Sequence, residues 1–96
     1  MSRPGNTVQL LNNATATGAA QSWDGGDCVF MAEGTFAGAT LQLQIQSPQG
    51  TWLDVTGASL TAAGAVLNLK VPPGNVRCLV TGTPTAMYAW LDQAGI

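Results

Sequence analysis

At 96 residues the chain suits one domain with a single core, and 46% apolar content separates it from disordered chains. Only 8% of its residues are charged, against about a quarter in a typical soluble domain, and the net charge is −2. Its three basic residues, Arg3, Lys70 and Arg77, are too few to neutralise the phosphates that nucleic-acid binding requires, and no apolar run approaches the roughly 20 residues that span a bilayer. Neither nucleic acid nor membrane is therefore expected as a partner.

Residues 1–6 contain Pro4 and Gly5 and read as an unpaired, flexible arm ahead of a single domain over residues 7–96. No apolar segment of signal-peptide length follows the N-terminus, so synthesis and folding in the cytosol are expected. Residues 7–11 have strand composition, with Val8 and Leu10 set against Gln9 and Leu11. Residues 12–21 are rich in Ala, Thr, Asn and Gly without periodicity; Thr15, Thr17 and Gly18 lower helix propensity, so loop or irregular edge is expected. Asp24-Gly25-Gly26-Asp27 is the strongest turn signal in the chain. In the strand expected over residues 27–35, Cys28, Phe30 and Ala32 share one face while Val29, Met31 and Glu33 share the other. That second face is also largely apolar, as for a strand covered on both sides.

The most regular stretch follows. Leu41, Leu43 and Ile45 alternate with Gln42, Gln44 and Gln46, the period-two pattern of a strand with one buried face. Ser47-Pro48-Gln49-Gly50 supplies a turn, and residues 51–55 return as the second arm of a hairpin. Gly57-Ala58-Ser59 reads as a turn, Leu60-Thr61 as a very short strand and Ala62-Ala63-Gly64 as another turn. In residues 65–71, Leu67, Leu69 and Val71 are expected inward against Val66, Asn68 and Lys70. Two prolines and a glycine at 72–74 end that strand. A strand over 76–81 points Arg77 and Thr81 outward, Gly82-Thr83-Pro84 breaks it, and one over 85–91 sets Met87, Ala89 and Leu91 against Tyr88 and Trp90. Seven or eight short strands, punctuated by Gly and Pro with no credible helix, predict an all-β, antiparallel, jelly-roll-like β-sandwich in preference to a small barrel.

Chemistry is sparse. With no histidine, Ser-His-Asp and Cys-His catalysis are excluded, and two cysteines 50 positions apart do not form a metal-binding pair. No phosphate-cradling glycine loop occurs. Asp24, Asp27, Glu33 and Asp54 are the carboxylates available for glycosidase-type or calcium chemistry, but Asp24 and Asp27 occupy turn positions and the other two lie on outward strand phases. No enzyme activity, cofactor or metal is expected. Cys28 and Cys78 lie in phase with apolar neighbours and read as buried thiols, with a disulfide across the core as the alternative. Trp23, Trp52, Tyr88 and Trp90 belong either to the core or an interface, or to a stacking platform for sugar rings. Trp52 shares its face with Asp54, which places it at a rim.

The run GTFAGATLQLQIQSPQGTWLDV over residues 34–55, followed by Leu-Thr-Ala-Ala-Gly, by Val71-Pro72-Pro73-Gly74, by Val76-Arg77 and by Val80-Thr81-Gly82, resembles small virion proteins of tailed bacteriophages, particularly short-tailed ones. The resemblance covers about residues 34–91. It implies a β-sandwich structural component of the virion, assembled in the host cytoplasm. The type implied is a capsid decoration, or cement, protein that binds the major capsid protein as a homo-oligomer, commonly a trimer. No catalytic residues come with it. Arg3 and Pro4 of the arm, with Val29, Met31, Val66, Leu79 and Trp90, are the expected contacts. The alternatives are a tail or fibre component that engages host glycans through Trp23, Trp52 or Trp90, and a free-standing carbohydrate-binding module.

Overall fold

The computed structural model describes residues 7–93; the arm, with Arg3 and Pro4, lies outside the described residues. The described residues form eight strands: β1 (Thr7–Ala14), β2 (Gln21–Trp23), β3 (Gly26–Thr35), β4 (Thr40–Gln46), β5 (Trp52–Leu60), β6 (Gly64–Val71), β7 (Gly74–Thr81) and β8 (Thr85–Gln93). They make two four-stranded sheets, ordered β1-β8-β3-β6 and β2-β7-β4-β5, with every pairing antiparallel. First pairs with last, second with seventh, third with sixth and fourth with fifth. One long two-stranded ribbon has been rolled up, which is the jelly-roll arrangement of a β-sandwich.

The tip of the ribbon is the hairpin read from the sequence. Gly50 N donates to Ser47 O at 2.9 Å and Ser47 N to Thr51 O at 2.8 Å, while Thr51 N donates to Ser47 Oγ at 3.1 Å. Gly50 takes φ of 91°, open to glycine at little cost. Further back, the ribbon bends from one sheet to the other at Asp24-Gly25 opposite Pro72-Pro73. Pairing of β2 with β7 ends at Trp23↔Gly74, and pairing of β3 with β6 begins at Gly26↔Val71. The Asp-Gly-Gly-Asp signal thus marks a corner between sheets. Trp23 is buried there, and its indole N–H donates to Val71 O at 3.2 Å across the bend. Gly25, at φ of 92°, lies against Pro73, where a Cβ would stand 2.8 Å from Cδ.

Between the sheets, Cys28, Phe30 and Leu91 of the first pack with Leu41, Leu43, Val76 and Cys78 of the second, all fully buried. Both thiols are free. Among the described residues no buried side-chain nitrogen or oxygen lacks a hydrogen-bond partner.

Bulges separate several strands from their expected phase. Between Phe30↔Val66 and Cys28↔Leu69, β6 spends three residues where β3 spends two, and Asn68 adopts φ of 64°. The extra residue inverts the alternation: Val66, expected outward, packs against the core, and Leu67, expected inward, is 62% exposed. In β1 a register shift between Gln9 and Leu11 buries both Leu10 and Leu11. The Gly57-Ala58-Ser59 segment does not end its strand. It forms a wide bulge inside β5, between Gln44↔Asp54 and Gln42↔Ser59, with Gly57 at φ of 86° and Ala58 fully buried, and Leu60 belongs to that same strand. Part of the expected loop at 12–21 is strand as well, since β1 runs to Ala14 and β2 begins at Gln21.

Candidate functional site

The sandwich presents two broad outer faces of different chemistry. On the first sheet, the inward set Met87, Ala89 and Leu91 is fully buried, which turns Tyr88 and Trp90 outward. Register brings Met31 opposite Trp90 on one side and Ala65 on the other, with Val29 next along β3. Exposed Leu67 joins Val29 in a shallow groove that also includes Asp27, Asn68 and Lys70. The result is a half-exposed apolar stripe running from Leu67 through Val29 and Met31 to Trp90 and Tyr88. The planes of Tyr88 and Trp90 lie 12° apart with centroids at 6.3 Å, and these rings line a second groove with Gln9, Glu33 and Gly34.

The second sheet's outer face is polar and internally tied. Gln44 sits opposite Arg77 of β7 and Asp54 of β5. It is buried, and both ends of its amide are used: Nε2 donates to Asp54 Oδ1 at 2.8 Å and Oε1 accepts from Arg77 Nε at 2.8 Å. The Arg77 guanidinium lies 4.5 Å from the centre of the Trp52 ring, a cation–π contact. Gln42 Nε2 donates to Leu43 O at 2.8 Å and Val55 O at 2.9 Å, Gln46 Nε2 to Gly50 O at 3.2 Å, and Asn75 Nδ2 to Gln46 Oε1 at 2.9 Å.

Of the expected contact residues, Val29, Met31 and Trp90 come together on the first sheet's outer face. Leu79 lies on the opposite sheet, paired with Gln42, and Val66 faces the core. Trp23 is core, which withdraws it from any surface platform; Trp52 is half-buried at the start of β5, against Arg77. The contribution of Leu67 was hidden by the β6 bulge. The Asp54-Gln44-Arg77-Trp52 row is visible in the sequence only as four separate outward positions, since cross-strand register is not written in any one strand.

Among the described residues no three histidine, cysteine or carboxylate side chains converge. The thiols are inert. Burial, with a smaller contribution from the Asp27 charge, pushes Cys28 up to about 11, and burial pushes Cys78 up to about 12. Both stay protonated near neutral pH, and a thiol is a poor nucleophile beside a thiolate. Compared with protein families, with curated proteins and with solved structures, the chain matches none.

Proposed function

We propose that this protein is a non-enzymatic structural component of a phage virion, a decoration protein that docks on the outer surface of the major capsid shell and stabilises it, acting as a homo-oligomer with a trimer favoured. The observation that carries the reading is the stripe of Val29, Met31, Leu67, Tyr88 and Trp90 on a chain with so little surface charge. Aromatic residues and Met are enriched where proteins meet, and charge is depleted at the centre of such contacts. The phage resemblance of residues 34–91 supplies the shell as the partner.

The test is sedimentation of the purified chain alone and with expanded capsid shells, comparing wild type with Met31→Glu. Burying a side chain of this size is worth about 1.5–3 kcal/mol, so the variant should bind about ten- to hundredfold more weakly with an unchanged melting temperature. A strict monomer that leaves shells bare overturns the proposal.

The second reading, a tail or fibre component that engages host glycans, draws on the near-parallel Tyr88 and Trp90 rings beside Gln9 and Glu33. Saturable quenching of Trp90 fluorescence by oligosaccharides, absent in Trp90→Leu, would favour it over shell docking.

A further inference from the structure

Arg77 is the one guanidinium among the described residues, and it is held in an unusual way. Its Nε is committed to Gln44 and one of its faces to the Trp52 ring, so the head group is fixed from two directions. The carboxylate in the same cross-strand row, Asp54, does not pair with it. Gln44 stands between them and bonds each separately. Nη1 and Nη2 make no hydrogen bond or ion pair to any described residue. A guanidinium whose Nε is occupied still offers its two terminal nitrogens as a planar fork that matches a carboxylate. Here the side-chain ordering that such a contact normally costs has already been met by the fold.

The surroundings narrow the class of ligand. A sugar is recognised through several unspent donors and acceptors around its ring. On this face Gln42 spends both of its amide hydrogens inside the sheet, and Gln44, Gln46 and Asn75 each spend one of their two. The charged group among them is one positive fork beside an indole, a pair of residue types that dominates the energetics of protein contacts.

We infer that Arg77 is a preformed receptor for a carboxylate, and that it takes an aspartate or glutamate side chain of a partner protein docked on the outer face of the second sheet. The site lies on the sheet opposite the apolar stripe and is tested on the free chain, so its failure leaves the shell-docking reading untouched, and the reverse.

The experiment is a nitrogen-15 NMR titration of the full chain with a hexaglutamate peptide, following Arg77 Nε–Hε and the Trp52 indole N–H. Hexaglutamine, sodium chloride at matched ionic strength, and glucuronate are titrated in parallel. Saturable shifts of both signals with hexaglutamate alone are expected. Arg77→Gln should weaken binding at least tenfold, and Arg77→Lys, which keeps the charge and loses the fork, several-fold; unchanged backbone amide signals elsewhere establish that both variants are folded. Equal shifts with chloride, or hexaglutamate binding that survives in Arg77→Gln, overturn the inference. So does glucuronate saturating the site more tightly than the peptide, which would assign it to an acidic sugar.

Discussion

Replacing Trp23 by Phe tests whether the corner between the sheets is fastened by one side chain. The indole N–H is the only group donating from β2 across the bend to the Val71 carbonyl, and both residues are buried, so water cannot take its place at low cost. Losing this buried hydrogen bond costs about 1–2 kcal/mol. The smaller ring vacates roughly 40 Å³, which at about 24 cal/mol per Å³ adds about 1 kcal/mol. The total of about 2–3 kcal/mol is a large part of the stability of a domain this size and corresponds to a melting temperature lower by about 10–20 °C. Urea unfolding followed by circular dichroism measures it. Trp90→Phe, on the half-exposed outer face, serves as the control and should lose less than about 0.5 kcal/mol. Because tryptophan fluorescence separates buried from exposed rings, the blue-shifted component should also vanish in Trp23→Phe and persist in the control. A loss below about 0.5 kcal/mol in Trp23→Phe, or an equal loss in both variants, refutes the assignment of Trp23 as the fastening of the corner.

Two further outcomes follow from the same packing. Gly25→Ala should lose about 1–3 kcal/mol, since a Cβ there meets Pro73 Cδ at 2.8 Å on a backbone with φ of 92°; Gly38→Ala, at φ of 82° with nothing near its Cβ, should lose less, and calorimetry of the pair separates the clash from the dihedral penalty. Stability should be fully present below pH 9 and fall above it. The unfolded thiols ionise near 9.0 while Cys28 and Cys78 hold their protons to about 11 and 12, so each thiol subtracts about 1.4 kcal/mol per pH unit until its folded value is reached. Urea midpoints from pH 8 to 11 measure the slope, and a double Cys28→Ala, Cys78→Ala variant should flatten it; an equal slope in that variant would assign the effect to other groups.

The strands whose phase was legible are those in which side-chain alternation continues unbroken through the residues that matter. Residues 40–47 and the part of β3 that carries Cys28, Phe30 and Ala32 present the faces that their alternation announces, and so does β8 from Met87 to Leu91. Where a bulge intervenes, the pattern misleads in a defined way. Asn68 absorbs one residue at positive φ, so Val66 and Leu67 exchange faces, and an apolar residue that counted toward the core becomes part of the candidate docking stripe. Val-Leu-Asn-Leu carries only a weak hint of this, because Asn tolerates positive φ better than most residues yet adopts it in a minority of cases. The jelly-roll order was legible as a class and no further, since turn signals mark corners and hairpins alike. The Gln44-Arg77 row needed the register of three strands, and the short β2 carries too few residues to show a period.

The irregularities of the rim have a consequence for growth. β1 is twice shifted against its neighbour, β2 is three residues long, β5 carries its wide bulge and β6 its inverted segment, so none of the four outermost strands offers a long straight row of backbone donors and acceptors. Edges of this kind resist the addition of a further strand, one of the ways in which β-proteins avoid open-ended growth. A contact made through an outer face depends instead on side-chain fit and ends once the patch is covered. A charge-poor molecule can in this way be present at high density without running into filaments.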